Sequence, residues 1–245
     1  MTTAPTDVDS AVYPLYERLY LVFAATFVVL LVLTNIVGIK LFRAPLNPDF
    51  ALTTGILTYP FTFLVTDIVS EIWGKKRADF MVLLGFLMSA LMLLIIQLAL
   101  HAPPHPFWVP ATDPAYVTEA GYQRAFESVF SLNGLLLFGS MLAYAAAQLT
   151  DNWLYHFFKR LTKGRMLWLR NNGSTWVSQL VDTGIVNSIL FFVGFGMDFK
   201  TGIGIMATIY VYKLAIAALD TPLVYLGVWG VKRMLGVDFD QEVRA

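Results

Sequence analysis

Acids and a lysine occur inside stretches of this sequence that are otherwise apolar. Asp67 and Glu71 lie four residues apart in TYPFTFLVTDIVSEIWGKK (58–76). Gln179 and Asp182 lie three residues apart further along, and Lys213 lies in another apolar stretch. Side chains spaced by three or four residues share one face of a helix. An ionisable group costs roughly 3 kcal/mol to insert in a membrane, so such groups tend to line cavities or to pair. The pattern predicts a closed polar binding site.

The elements that would hold this site are membrane-spanning helices. Of the 245 residues, 57% are hydrophobic and 14% are charged, whereas a soluble domain has about 25% charged residues. Backbone polar groups find no water in lipid, so spans of about 20 apolar residues are helical. A closed barrel would instead show short alternating strands. The sequence therefore predicts an all-α integral membrane fold with six transmembrane helices, at 19–39, 50–73, 80–100, 128–150, 174–197 and 202–231.

The predicted organisation is one six-helix domain, 18–233, between two cytoplasmic tails. Residues 1–17 are polar and lack a basic start, so they indicate a short disordered tail and not a signal peptide. Residues 234–245 form the second tail. Lys and Arg residues are concentrated on the side that holds both tails, which predicts that both termini are cytoplasmic. The long outer loop, 101–124, is either a lid or a packed cap.

Three of the buried charges are predicted to lie at one depth. At about 1.5 Å per residue, Asp67 and Asp182 lie about 9 Å and 12 Å from the inner ends of their helices. Lys213 lies about 14 Å from the inner edge of a hydrocarbon core about 30 Å thick. Asn35, on the first helix, lies somewhat higher. Two acids and one base on helices two, five and six therefore share a layer in the inner half of the membrane.

Two proline positions predict irregular helices. Pro60 removes one helical hydrogen bond, which can bend or break helix two, and Thr54, Gly55 and Thr58 loosen the same end. Discontinuous helices often border binding sites in membranes. The second signal is Asp220-Thr221-Pro222 in helix six (220–222).

Structural roles for the same residues stay open. Asp67 or Asp182 could form only an ion pair with Lys213 that locks the bundle. Glu71 could serve only as the counter-charge of the basic run 75–77.

Further alternatives concern the remaining polar groups. Asp151 and Asn152 could cap the inner end of helix four or pair with Lys159. Prolines between His101 and His105 prevent a helix from presenting the two rings together, and the absence of cysteine removes thiolate ligands, so no metal site is predicted.

Enzyme chemistry has little support in the sequence. It contains no nucleotide-binding or hydrolase motif and implies no cofactor. The zero net charge gives no indication of nucleic acid binding. An intramembrane aspartyl hydrolase is the remaining alternative, since two membrane aspartates could form a dyad. The adjacent Lys213 opposes it, because it would keep both carboxylates ionised.

Five stretches of the sequence carry a family resemblance. Their order along the chain and their spacing both match those of one family, and together the stretches extend over all six predicted helices. The stretches are LTNIVGIKLF (33–42), YPFTFLVTDIVSEIWGKKRA (59–78), AQLTDNWLYHFFKR (147–160), NNGSTWVSQLVDTGIVNSILFFVGF (171–195) and YVYKLAIAALDTPLVYLG (210–227). Together they resemble the queuosine precursor transporters, also called the vitamin uptake transporter family.

The resemblance implies a multi-pass carrier in the bacterial inner membrane. Its substrates would be 7-deazaguanine precursors of the tRNA base queuosine, preQ0 or preQ1, and its partners would be this small molecule and the lipid bilayer. The family also looks like the six-helix substrate-binding components of energy-coupling-factor importers. An ATP-driven importer subunit is therefore the alternative to an independent carrier. The oligomeric state stays open, with a homodimer as one option.

Deazaguanine chemistry assigns expected roles to the candidate residues. A carboxylate can accept hydrogen bonds from the ring N–H and the exocyclic amine together. Amides can serve the carbonyl and the remaining donors, and aromatic rings can wall the flat base. Lys213 would either neutralise the acids or donate to the base carbonyl. The predicted binding residues are Asn35, Tyr59, Phe61, Asp67, Glu71, Trp176, Gln179, Asp182, Asn187 and Lys213.

A weak internal similarity suggests a repeat. LVTDIVSEI (64–72) resembles LVDTGIVNSI (180–189), as a three-plus-three inverted repeat would require. Helices two and five would then run in opposite directions.

Overall fold

The computed structural model describes residues 12–38, 40–43, 51–108, 118–130, 134–194 and 196–236. In these ranges it contains seven α-helices and one two-stranded hairpin. The helices are α1 (Tyr13–Val37), α2 (Tyr59–Ile72), α3 (Lys75–His101), α4 (Glu119–Phe130), α5 (Gly134–Leu161), α6 (Leu167–Ser188) and α7 (Phe199–Leu235). The strands are β1 (Leu41–Arg43) and β2 (Ala51–Thr53). The helical fold is confirmed, and the hairpin was not predicted.

Six of these helices correspond to the six predicted apolar segments. Helix α4 is additional: it covers the end of the loop predicted at 101–124 and the first residues of the helix predicted at 128–150, so that α5 begins only at Gly134. Within the described residues, four helices are long and apolar enough to cross a membrane: α1, α3, α6 with the π-helical turn that follows it (167–193), and α7. Helix α2 has only 14 residues. At 1.5 Å per residue it is about 21 Å long, which is shorter than a hydrocarbon core of about 30 Å. Both predicted tails lie mainly outside the described residues, and α1 begins at Tyr13, inside the segment predicted as the first tail.

The predicted break at the start of helix two is present. The segment predicted as helix two, 50–73, is not one continuous helix, because within the described residues β2 and a 3-10 turn (Thr54–Leu57) precede α2. Pro60 stands in the first turn of α2, where its missing N–H costs no hydrogen bond. Hydroxyl groups then hold the break against the end of α1: Thr34 and Thr58 share a hydrogen bond of 2.6 Å, and Thr54 donates to Val37 O.

Side-chain contacts give the relative directions of the helices. Helices α1 and α3 run parallel, because Glu17 bonds Arg77 near their starts and Asn35 bonds Ser89 further along both. Helix α2 runs antiparallel to both, since Thr58 at its start bonds Thr34 near the end of α1 and Trp73 after its end packs on Tyr16 near the start of α1. Helices α2 and α5 run parallel, whereas α5, α6 and α7 alternate. The six apolar helices therefore alternate in direction along the chain.

An apolar core joins α1, α2, α3 and α7 at one end of the bundle. Trp73 packs against Tyr16 and Tyr20, with ring centroids 5.4 and 6.0 Å apart. Arg77 lies over both tyrosine rings and forms two hydrogen bonds with Glu17, of 2.9 and 2.6 Å. Arg77, one of the three residues of the basic run 75–77, thus forms its ion pair with α1.

The described part of the loop predicted at 101–124 is packed. Trp108 meets the rings of Tyr122 and Phe126 on α4 at 4.9 and 5.4 Å. Gln123 donates to the carbonyl of Leu100 at the end of α3, at 3.2 Å. These contacts favour the packed cap among the two alternatives, and residues 109–117 lie outside the described part of the chain.

Helix α7 is continuous through the second proline position. It runs for 37 residues and contains Pro222. The exposed carboxylate of Asp198 caps its start by accepting a 2.9 Å hydrogen bond from Thr201 N. This backbone hydrogen bond holds the pKa of Asp198 below its usual value.

Close packing of α1 on α3 gives the first prediction. A Cβ atom at Gly85 would lie 2.6 Å from Phe27 Cε1 and 2.8 Å from Leu31 Cδ2. We expect Gly85→Val to lower the thermal unfolding midpoint in detergent, because overpacking costs about 1–3 kcal/mol. Gly204→Val is the matched control, since nothing lies within 4 Å of a Cβ there. Equal midpoints for the two variants would contradict this packing.

Candidate functional site

A layer of buried polar side chains lies among α2, α5 and α6. Buried polar groups need hydrogen-bond partners, and lipid supplies none. The layer must therefore satisfy itself or bind something. Its members are Thr62, Thr66, Asp67, Ser70, Gln148, Asp151, Asn152, Ser174, Thr175, Ser178, Gln179, Asp182 and Thr183.

Three hydrogen-bonded pairs join α2 to α5, one per helical turn, and we call them the α2–α5 seam. The pairs are Tyr144 Oη to Thr62 Oγ1 (2.7 Å), Thr66 Oγ1 to Gln148 Oε1 (3.5 Å) and Ser70 Oγ to Asn152 Oδ1 (3.1 Å). The partners are 82 residues apart in every pair, so the two helices run parallel in fixed register. Gln148 also donates to Tyr144 at 2.6 Å, which links two of the pairs.

Lys213 pairs with Asp182 across α6 and α7. Lys213 Nζ lies 2.6 Å from Asp182 Oδ2, and both side chains are largely buried. The other oxygen, Asp182 Oδ1, is buried without a hydrogen-bond partner among the described residues, as is the neighbouring hydroxyl of Thr183. The pair therefore presents a charged, partly unsatisfied carboxylate inside the bundle.

Glu71 lies in an ion cluster separate from the Asp182–Lys213 pair. Arg170 Nη2 and Lys159 Nζ contact its carboxylate at 2.6 and 3.1 Å, and Tyr155 donates to it at 3.0 Å. Its cationic partners come from α5 and α6, and no described ion pair joins it to the run 75–77. Glu71 and Arg170 are both buried, so this cluster ties three helices together.

Asp67 faces Asp151 and not Lys213. The two carboxyl groups lie within hydrogen-bonding reach of each other, between the second and third pairs of the seam. Ser178 donates to Asp151 Oδ1 at 2.9 Å. Among the described residues, Lys213 therefore forms an ion pair with Asp182 and none with Asp67. The suggested pairing of Asp151 with Lys159 is also wrong, since Lys159 binds Glu71.

Asn35 lines a small cavity among α1, α3 and α5. Its side-chain amide donates to Ser89 Oγ at 3.1 Å, and Tyr144 of the seam lies on the same cavity wall. The cavity is therefore adjacent to the polar layer. Its lining residues are Leu31, Asn35, Val82, Phe86, Ser89, Met141, Tyr144 and Ala145.

The structure does not gather all the predicted binding residues in one place. Gln179 and Asn187 are buried on α6 with Asp182. Phe61 and Trp176, predicted as ring walls, are 49% and 44% exposed and do not belong to the buried layer. The side chain of Tyr59 lies outside the described residues.

Several important residues were missed or assigned lesser roles by the sequence analysis. Arg170 was counted only among the cytoplasmic charges, yet it is 2% exposed. Tyr144 and Tyr155 were not singled out, and Gln148 and Asp151 were not assigned to the binding site. A sequence signal for them exists, because polar residues recur at helical spacing on α2 (62, 66, 70) and on α5 (144, 148, 152, 155).

Comparisons with known proteins point to a family of transporters. A family model described as "Putative vitamin uptake transporter" matches residues 53–227. The chain is 30% identical over 174 residues to the "Probable queuosine precursor transporter" of Bacillus subtilis (strain 168), covering 71% of this chain and 70% of that protein. No solved structure matches the chain significantly.

The ion cluster gives the second prediction. Arg170→Gln removes the closest cation from a buried carboxylate, and breaking a buried ion pair typically costs about 3–5 kcal/mol. We expect a clear fall in the thermal unfolding midpoint of the purified protein in detergent. Arg165→Gln is the control. Arg165 is exposed, in the connection between α5 and α6, so this change should alter the unfolding midpoint little. An Arg170→Gln protein as stable as this control would show that the cluster does not hold the helices together.

Proposed function

This chain belongs to the vitamin uptake transporter family, and we propose that it imports queuosine precursors, the 7-deazaguanines preQ0 and preQ1, across the bacterial inner membrane. The family assignment predicted from the sequence is confirmed, and the chain is a transporter and not an enzyme. The substrate class is supported by the relative named as a queuosine precursor transporter. The observation that carries the site assignment is the buried Asp182–Lys213 pair with its unpartnered carboxylate oxygen.

We propose six membrane crossings, made by α1, α2, α3, α5, α6 and α7. Their alternating directions support this topology, and the break before α2 supports a discontinuous second crossing in which the 3-10 turn adds to a short helix. The concentration of Lys and Arg on one side supports cytoplasmic termini. The opposite directions of α2 and α6 also suit an inverted three-plus-three repeat.

Recognition of the base would centre on Asp182. A deazaguanine offers a ring N–H and an exocyclic amine side by side, and a carboxylate can accept both in a bidentate, charge-assisted pair. Lys213 contacts Asp182 Oδ2, which leaves Oδ1 available to accept hydrogen bonds from the base. When the base binds, Lys213 can turn from Asp182 to the base carbonyl, so that the transported molecule replaces one internal ion pair.

The remaining donors and acceptors of the base would meet buried amides. Gln179 lies one turn before Asp182 on α6. Asn187 is buried on the same helix, five residues after Asp182. Asn35 reaches the layer from the cavity beside Tyr144. Asp67 is the second acid of the layer, on α2. Glu71 would contribute by fixing the helices, because three donors already contact its carboxylate.

Uptake of labelled precursor by cells that cannot synthesise it tests this proposal. We expect Asp182→Asn and Lys213→Met to reduce initial uptake about tenfold or more, because hydrogen bonds to charged groups contribute about 1.5–3 kcal/mol each. Asp67→Asn should also reduce uptake strongly.

Asp198→Asn is the matched control for these variants. It replaces an exposed aspartate with a residue that caps helices equally well, so uptake should be normal. Wild-type uptake by an Asp182→Asn protein at wild-type abundance would show that recognition lies elsewhere. Absence of uptake by the wild-type protein would overturn the proposed substrate.

A further inference from the structure

The Asp67–Asp151 pair is held together by the helices that carry it. Asp67 is 2% exposed on α2 and Asp151 is fully buried on α5. The seam pair Thr66–Gln148 lies on one side of the two acids, and the seam pair Ser70–Asn152 lies on the other. Since the seam fixes the register of the two parallel helices, the acids have little freedom to separate.

The basic side chains of the bundle interior are committed elsewhere. Arg170 and Lys159 bind Glu71, and Lys213 binds Asp182. Neither Asp67 nor Asp151 has a Lys, Arg or His nitrogen within 4 Å in the described part of the chain.

Two further acids lie near Asp67. They are Glu71 on its own helix and Asp220 on α7. On the α3 side, Asp79 accepts from Asn152 and pairs with Lys75. Two buried carboxyl groups without a basic partner repel one another strongly in a medium of low dielectric constant, so the pair requires a positive charge from outside the protein.

Oxygen atoms suited to such a charge surround the pair. Asp67 Oδ1 and Asp151 Oδ2 are buried with no hydrogen-bond partner among the residues described. The hydroxyl of Thr175, on α6, is buried, points to Asp151 and has no other hydrogen-bond partner among the described residues. Two carboxylates and a hydroxyl provide hard oxygen ligands, and two facing carboxyls can equally share a proton. This hydroxyl belongs to a third helix, α6.

We propose that Asp67 and Asp151 bind one monovalent cation, a proton or Na⁺, whose entry is coupled to import of the substrate. This inference depends on the proposed function and adds an ion site to it. Ser178, which binds Asp151, precedes Asp182 by one turn on the same face of α6. A shift of α6 on substrate binding at Asp182 therefore changes the surroundings of Asp151. The cation site and the substrate site share one rigid element, which is what coupling between them requires.

Transport by the purified full-length chain in liposomes tests this inference. Labelled precursor is supplied outside, with an inward tenfold gradient of either protons or Na⁺. We expect one of the gradients to drive accumulation above equilibrium, up to about tenfold for one-to-one coupling, and the responding gradient identifies the ion. Exchange of external labelled precursor for internal unlabelled precursor is measured in the same liposomes without a gradient.

The variants separate coupling from transport. Asp151→Asn should lose gradient-driven accumulation and keep exchange, whereas Asp198→Asn should keep both. Wild-type exchange without a response to either gradient would overturn the ion site and leave the proposed function intact. Undiminished accumulation by Asp151→Asn would also overturn it. Failure of the wild-type protein to exchange precursor would overturn the proposed function itself.

A second measurement uses only the wild-type protein, so it can test the ion site even if the Asp151→Asn protein does not fold. Precursor is added to the detergent-purified protein in weak buffer, and the thermal midpoint with precursor is compared in Na⁺ and in K⁺. We expect either proton uptake on binding or a higher midpoint in Na⁺. Absence of both effects in a protein that binds precursor would reject the ion site.

Discussion

The α2–α5 seam is the contact on which the polar interior of this protein depends. It joins two helices that are distant in sequence and parallel in space, through three hydrogen-bonded pairs at one-turn intervals. In lipid, apolar side chains gain little by meeting one another, so hydrogen bonds and close packing decide which helices associate. Because the seam fixes the register of α2 and α5, it also fixes where the acids on both helices meet.

The buried charges are then divided among three separate sites. Glu71 is satisfied by Arg170 and Lys159 and serves as a structural joint. Asp182 pairs with Lys213 through one carboxylate oxygen, and its other oxygen has no hydrogen-bond partner among the described residues, which suits a recognition site. Asp67 faces another acid and has no basic partner among the described residues. The same residue type therefore has three different environments within one bundle, and the neighbours that each acid receives determine its chemistry.

The short helix α2 reflects the same need of polar groups in a membrane for hydrogen-bond partners within the protein. Backbone that leaves a helix inside a membrane must find partners within the protein. Here the hydroxyls of Thr34, Thr54 and Thr58 tie the break to the end of α1, and proline occupies the one helical turn that needs no donor. The irregular segment is thus stable where it lies, directly before the helix that carries Asp67.

The sequence by itself determined the class of fold, the helical segments, the break at Pro60 and the set of polar residues that had to be buried. These follow from local composition and from spacing within one helix, which fix the faces of that helix. The tertiary structure alone decided that Arg170 pairs with Glu71 and that Asp151 faces Asp67. It alone also decided that Phe61 and Trp176 are exposed. The physical reason is that spacing shows which residues share a face, whereas the rotation of each helix and its choice of neighbour depend on packing among all of them.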